Sequence, residues 1–294
     1  MSTSIQISTP RPNAIDPYTD IGELALTVAD LGRSIDFYTG PLGFEVISRE
    51  GREATLGAGG QPLLRLTEVP DAAHWPGYAT GLYHFAILLP TRGDLGRWLR
   101  NWLSYGHPLP GQGDHLVSEA LYLSDPDGNG IEVYRDRPRD EWQWEGNTVK
   151  IASLPIDIRG LLELAESEGQ PWSGFPAGTT IGHMHLQVGD IPQAAAFYVD
   201  LLGFDLVAEM PSALFVSAGG YHHHIGLNTW HSRGAKPAPE GSAGLRWFTI
   251  DFADDAARAA VIERVSGGGH AVEWEDGVAV IHDPWTNTIR LRVR

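Results

Sequence analysis

Residues 28–44 read VADLGRSIDFYTGPLGF, and 160 positions later residues 188–204 read VGDIPQAAAFYVDLLGF. The Val, Asp, Phe-Tyr and Leu-Gly-Phe positions coincide without a gap, and Ala58-Gly59-Gly60 falls on Ala218-Gly219-Gly220 at the same shift. Further along, Gly81-Leu82 matches Gly244-Leu245 at a shift of 163, and Asp125-Pro126, Asn129 and Ile131 match Asp283-Pro284, Asn287 and Ile289 at 158. Self-similarity of this kind marks a tandem duplication, here of about 110 residues. The copies cover residues 20–138 and 179–294. Between them, 139–178 is a connector holding one short helix, IRGLLELAES (158–167).

The periods inside each copy alternate. Leu24–Val28 reads as a strand, Asp30 as a helix N-cap, and Leu31, Ile35, Phe37 and Tyr38 as the apolar positions of a short helix that stops near Leu42-Gly43. Three β runs follow, FEVIS, REATLG and PLLRLTE, separated by glycine turns. The same order then recurs with YHFAILLP, DLGRWLRNWLSYG, HLVSEALYLSD and GIEVYRD. Each copy is therefore two βαβββ modules. The chain holds four of them, at 22–68, 82–136, 181–229 and 245–294, and the fold class is α+β.

Composition narrows the chemistry. The 294 residues carry 21 Lys plus Arg against 37 Asp plus Glu, a net charge of −16, with 42% apolar residues and 10 Trp. That is a packed globular protein rather than a disordered one. Its acidity and the lack of a basic cluster set nucleic acid aside. With no Cys there is neither a disulfide nor a thiolate ligand, so any metal must be held by His and carboxylates. The opening MSTSIQISTPRPNAIDPYTD lacks the apolar core of a signal peptide, and no apolar run approaches the roughly 18 residues of a membrane span. A cytoplasmic protein with no membrane partner is expected.

Four βαβββ modules with Asp-Leu…Phe-Tyr…Leu-Gly-Phe in the first helix resemble the vicinal-oxygen-chelate superfamily, which includes glyoxalase I, bleomycin and fosfomycin resistance proteins and type I extradiol dioxygenases. Residues 113–132, GDHLVSEALYLSDPDGNGIE, resemble the extradiol ring-cleavage signature through Gly113, His115, Leu121-Tyr122, Asp125-Pro126, Gly128 and Glu132. YHHHIGLNTW (221–230) and GHMHLQVGD (182–190) are similar to the two-domain bacterial catechol 2,3-dioxygenases.

That resemblance implies an iron(II) enzyme, with manganese(II) accepted by the same donors, acting on a small aromatic diol and O2. Such sites use two imidazoles and one carboxylate on one face of the metal. In this superfamily the ligands sit on the first and last strands of the modules. Modules two and three offer His84, Glu132, His183 and His224, whereas modules one and four offer Glu23, Arg65, Trp247 and Arg290. The expected triad is His84, Glu132 and His183, in a cleft between modules two and three. Pairing module one with two would instead gather Glu23, His84 and Glu132. The signature makes His115 the acid/base residue and Tyr122 its companion on the substrate oxygen. His224 is a candidate fourth ligand or neighbour of the metal, as are His222, His185 and Tyr134. Strand alternation puts His222 and His224 on the cleft side and His223 away from it. Two alternatives stay open. One is a glyoxalase-like isomerase or lyase with a four-ligand Ni or Zn site; the other is a metal-free protein that binds an aromatic ligand. Free strand edges and the superfamily habit point to a homo-oligomer.

Overall fold

The structure, a computed structural model, describes residues 13–294. Module one is β1 (Asp20–Val28), α1 (Leu31–Phe37), β2 (Glu45–Glu50), β3 (Glu53–Ala58) and β4 (Gln61–Glu68). Module two is β5 (Gly81–Leu88), α2 (Arg92–Ser104), β6 (Gly111–Asp114), β7 (Ser118–Ser124) and β8 (Gly130–Asp136). The connector forms a small hairpin, β9 (Trp144–Glu145) with β10 (Thr148–Val149), and then α3 (Ile158–Glu168). Module three is β11 (Thr180–Gln187), α4 (Ile191–Ala195), β12 (Asp205–Met210), β13 (Ala213–Ser217) and β14 (Ile225–Asn228). Module four is β15 (Gly244–Phe252), α5 (Asp255–Gly267), β16 (Glu273–Glu275), β17 (Val278–His282) and β18 (Thr288–Val293).

The repeated motif has a mechanical explanation. Asp30 and Asp190 sit in extended backbone, and their carboxylates accept the amide hydrogens of Arg33 and Gln193, which caps α1 and α4. Each helix then runs into a wider π turn that ends at Gly43 or Gly203, at φ of 110° and 90°, where a side chain would be strained. The turn buries Tyr38 and Tyr198. Tyr38 donates to Asp125 at 2.8 Å and Tyr198 to Asp283 at 2.9 Å, so the Phe-Tyr and Asp-Pro elements of each copy are two ends of one buried bond.

Among the described residues, eighteen strands form two eight-stranded sheets and the small hairpin. One sheet has the order β16-β17-β18-β15-β1-β4-β3-β2, the other β12-β13-β14-β11-β5-β8-β7-β6. Module one therefore pairs with module four and module two with module three. Each seam is antiparallel and joins first strands, β1 with β15 and β5 with β11. Of the two pairings open from the sequence, the inner one is formed.

Alternation along the inner sheet separates core from site. Phe85, Ile87, Leu121, Leu123, Ile131, Val133, Met184 and Leu186 join the apolar core, which continues into the other sheet through Leu24, Leu26, Phe248 and Ile250. The residues between them, His84, Tyr122, Glu132, Tyr134, His183 and His185, take the opposite face. That face is also covered, so these side chains are buried apart from the half-buried Tyr122. No helix among the described residues is long and apolar enough to cross a membrane.

Candidate functional site

The strand order brings His84, Glu132 and His183 together. β5 lies between β8 and β11, and its Ala86 pairs with Glu132 on one side and with His183 on the other. A methyl group at that position leaves the space between the carboxylate and the imidazole open, and His84 stands two residues along on the same face. Glu132 Oε2 is 3.0 Å from His84 Nε2 and 3.1 Å from His183 Nε2. All three ligand atoms lie within 4.8 Å of one another, and the three residues are 6%, 3% and 1% exposed.

The electrostatics of this cluster suit a cation. Burial alone would raise the Glu132 carboxyl, but the two imidazoles hold it well below the usual carboxylate range. Burial lowers His183 to about 4 in spite of Glu132. At neutral pH the cluster therefore sets an ionised, buried carboxylate beside the neutral ring of His183. The contact from His183 to Glu132 has hydrogen-bond geometry. His84 Nε2 makes no hydrogen bond although it is buried at 3.0 Å from the carboxylate oxygen. Ligands at right angles on a metal, each about 2.1 Å away, stand roughly 3 Å apart. The donor set and its spacing therefore fit a divalent ion.

His115 follows β6 in the tight turn to β7, next to Leu116 at φ 69°. Its Nδ1 donates to the Ala152 carbonyl at 2.7 Å, which leaves Nε2 to accept from the Tyr122 hydroxyl at 2.8 Å. Ala152 belongs to the connector, so the connector sets the tautomer of this histidine. Tyr122 pairs across the strands with Glu132, and burial followed by that carboxylate pushes its phenol well above its ordinary range.

The remaining histidines correct the expected phase of the His222–His224 run. β14 begins only at Ile225, and a turn closed by the Tyr221 amide on the Ala218 carbonyl breaks the two-residue alternation just before it. His224 points away from the triad. Its Nε2 lies 3.3 Å from Asp20 and its Nδ1 accepts the Ala218 amide hydrogen at 3.1 Å, so it is no fourth ligand and a four-ligand set is not assembled. His222 is not in the triad either, because its ring nitrogens are engaged by Asp136 at 2.8 Å and by His223 at 2.8 Å. His223, expected to face away, lines the cavity with its ring centroid 4.1 Å from that of His183. Burial, and then the surrounding histidines, lower it well below the ordinary imidazole range.

His185 lines the cavity beside His84, at 4.8 Å between centroids, and contacts the Asn228 amide at 3.0 Å. Tyr134 packs its ring 5.0 Å from His183, and its hydroxyl is taken up by the Tyr221 hydroxyl at 2.7 Å. Tyr134 supports the cluster from outside its open side, and His185 borders that side.

That open side is a cavity of 1150 Å3 reached by His84, Glu132, His115, Tyr122 and His223. Two linkers between modules, 69–80 and 229–243, close over it and are tied together: Thr80 donates to Lys236 and Ala243 to Ala73 through backbone amides. Trp75 and Trp230 hang from these linkers into the cavity. Neither was singled out by sequence reasoning, since linkers carry no period; Trp230 lay at the end of the quoted YHHHIGLNTW phrase.

Comparison with known proteins agrees with this architecture. The profile of the Glyoxalase/Bleomycin resistance protein/Dioxygenase superfamily matches residues 20–133 and 180–291. The chain is 48% identical over 272 residues to a protein of Bacillus subtilis (strain 168) named catechol-2,3-dioxygenase, covering 90% of this chain and 94% of that one. Among solved structures, a putative dioxygenase from Bacillus subtilis superposes with a TM-score of 0.63 at 14% identity, covering 95% of this chain and 86% of that one. Glyoxalase I from Zea mays superposes at 0.57 and 18% identity, covering 93% and 92%. At such identities these structures speak for the fold alone. The duplicated modules, their strand order and the matched profile over most of the length agree: the chain belongs to the Glyoxalase/Bleomycin resistance protein/Dioxygenase superfamily.

Proposed function

We propose that this protein is an extradiol ring-cleaving dioxygenase, which opens catechol or a substituted catechol with O2 and holds iron(II) on His84, Glu132 and His183. Manganese(II) suits the same donors. The observation that carries the reading is the hydrogen-bonded His115 and Tyr122 pair beside a buried two-histidine, one-carboxylate cluster. The relative of Bacillus subtilis named catechol-2,3-dioxygenase supports it. A cytoplasmic homo-oligomer serving the breakdown of aromatic compounds is part of the same reading.

A bound iron would supply the Lewis acidity and redox chemistry that let a diol and O2 combine. The chain supplies the rest. Tyr122 keeps its proton at any physiological pH and can turn its hydroxyl from His115 Nε2 toward a substrate oxygen as a donor. His115 has Nδ1–H fixed on Ala152, so Nε2 is free to take the proton that a diol must lose and return it later. His223 enters the cavity as a neutral imidazole and offers a second acceptor beside His183.

The test is an oxygen-electrode assay of protein reconstituted anaerobically with iron(II), given catechol and followed optically for a yellow semialdehyde. Oxygen uptake with stoichiometric yellow product is expected. Stoichiometric metal without uptake on any catechol would overturn the reading in favour of isomerase or lyase chemistry; no metal and no rescue would favour a binding protein.

A further inference from the structure

His222 is completely buried, and both of its ring nitrogens are taken: Nε2 meets Asp136 Oδ1 at 2.8 Å, and Nδ1 meets Nδ1 of His223 at 2.8 Å. Consecutive residues of a strand would send these two rings to opposite faces. Here both lie in the turn before β14, so the rings can face each other. The His222 ring is also packed from its sides, by Tyr221 at 4.1 Å, Trp142 of the connector at 5.2 Å and Tyr134 at 6.1 Å between centroids. It is held in place.

The direction of the protons follows from the acceptors. Two Nδ1 atoms 2.8 Å apart share one proton, since two lone pairs or two N–H groups would repel. A carboxylate only accepts, so Asp136 takes the Nε2 proton of His222. A neutral imidazole has a single N–H; Nδ1 of His222 is then a bare lone pair, and His223 is the donor. That leaves Nε2 of His223 without a proton. This atom makes no hydrogen bond among the described residues and is not closed off from space, because its ring opens on the catalytic cavity beside His183. His115 is held in the same sense, with Nδ1–H on the Ala152 carbonyl and Nε2 as the acceptor. One histidine is oriented by a connector carbonyl, the other by a carboxylate acting through a second imidazole.

We propose that Asp136 and His222 are positioning residues, which fix His223 as its Nδ1–H tautomer and present its Nε2 lone pair to the cavity as the acceptor for a diol proton. In that step an O–H bond of the diol breaks and an N–H bond forms on His223 Nε2. The imidazolium so formed donates from Nδ1 to His222, a hydrogen bond strengthened by the new charge. His223 meets the reacting atoms; Asp136 and His222 act only through it. The catalytic part of this inference rests on the dioxygenase reading, and the tautomer does not.

The first measurement is the tautomer itself, read by long-range 1H–15N correlation on metal-free protein labelled with 15N-histidine at neutral pH, with His223 assigned by its loss in His223→Gln. His223 should show a protonated Nδ1 and a bare Nε2. In His222→Phe, which keeps a ring against Tyr221 and removes the acceptor, His223 should pass to the Nε2–H form that a free neutral histidine favours. His222→Gln offers an amide oxygen to His223 and an amide nitrogen to Asp136, and should retain Nδ1–H. An Nε2–H tautomer in the wild type, which a doubly protonated His222 would impose, overturns the proposal, as does a tautomer unmoved in His222→Phe. On the iron(II)-loaded protein with catechol, His222→Phe should lower kcat about 10- to 100-fold with KM and iron content unchanged, and His222→Gln should restore most of the loss. A loss carried by KM or by iron content would overturn the positioning role. No oxygen uptake by the wild type would overturn the catalytic part together with the dioxygenase reading, while the spectrum still decides the tautomer.

Discussion

The two eight-stranded sheets have the same order and opposite chemistry. By strand register, Trp247 of the outer sheet occupies the position of His84, Arg290 that of Glu132, and Glu23 that of His183. Glu23 is as buried as the triad, but two guanidiniums meet it: Arg65 Nε at 2.9 Å, and Arg292, which also grips Asp251. Arg65 and Arg290 lie over the ring of Trp247, at 5.8 and 4.8 Å from its centroid. Guanidiniums stay protonated and cannot ligate a metal, so the outer carboxylate is neutralised by the chain itself. In the inner sheet the partners are imidazoles, which can ligate a metal and leave the carboxylate to share a cation with them. Identical scaffolds thus differ in who supplies the counter-charge.

The sharpest way to break that contrast is to remove a ligand. His183→Ala, His84→Ala or Glu132→Ala should each abolish metal retention, measured by elemental analysis, and lower ring cleavage by roughly a thousand-fold or more, with circular dichroism unchanged. Full metal content in His183→Ala would end the proposed triad. Next in size, His115→Ala should keep its metal yet lose about 10²- to 10³-fold in kcat; normal turnover would reduce His115 to a loop residue held by Ala152.

In the outer sheet the expected loss is in stability. Arg292→Ala takes the guanidinium from Asp251 and leaves Glu23 with Arg65 alone, and should cost about 1–3 kcal/mol in urea unfolding, while metal content and turnover stay as they were. A drop in metal content would mean that the two sheets are coupled. The smallest effect concerns protons. His183 is held at about 4 when folded against 6.5 in an unfolded chain. The folded state then binds fewer protons between those values, so the stability of the metal-free protein should be fully present above pH 6.5 and fall as pH is lowered toward 4. His183→Gln should flatten that slope by up to one proton, and an unchanged slope would show that His183 titrates normally.

Most of the architecture was legible because the duplication is written in residues with fixed geometric tasks: the Asp caps, the Tyr and Asp of the cross-module bond, the glycines at positive φ. The alternation of Glu132 and Tyr134 against Ile131 and Val133 likewise survives in β8. Which modules pair was legible only through chemistry: the strand edges of β1 and β5 are alike, and it was the collection of His84, Glu132 and His183 in modules two and three that pointed to the inner pairing the sheet forms. The His222–His224 run misled because a period of two holds only inside a strand, and β14 starts one residue too late. Trp75 was invisible for a related reason: it hangs from an irregular linker, which carries no period.

The crossed pairing of modules also bears on how the chain is made. When residues 20–138 leave the ribosome, β1 and β5 have formed only one of their two neighbours, because β15 and β11 are encoded in the second copy. Two long, apolar strand edges then wait in the open, that of β5 until β11 ends at Gln187 and that of β1 until β15 ends at Phe252, while synthesis proceeds at about 5–20 residues per second. Such edges invite pairing with other chains. The first half of this protein is therefore a natural client for protection during translation, and its folding is completed by its own second half rather than by itself.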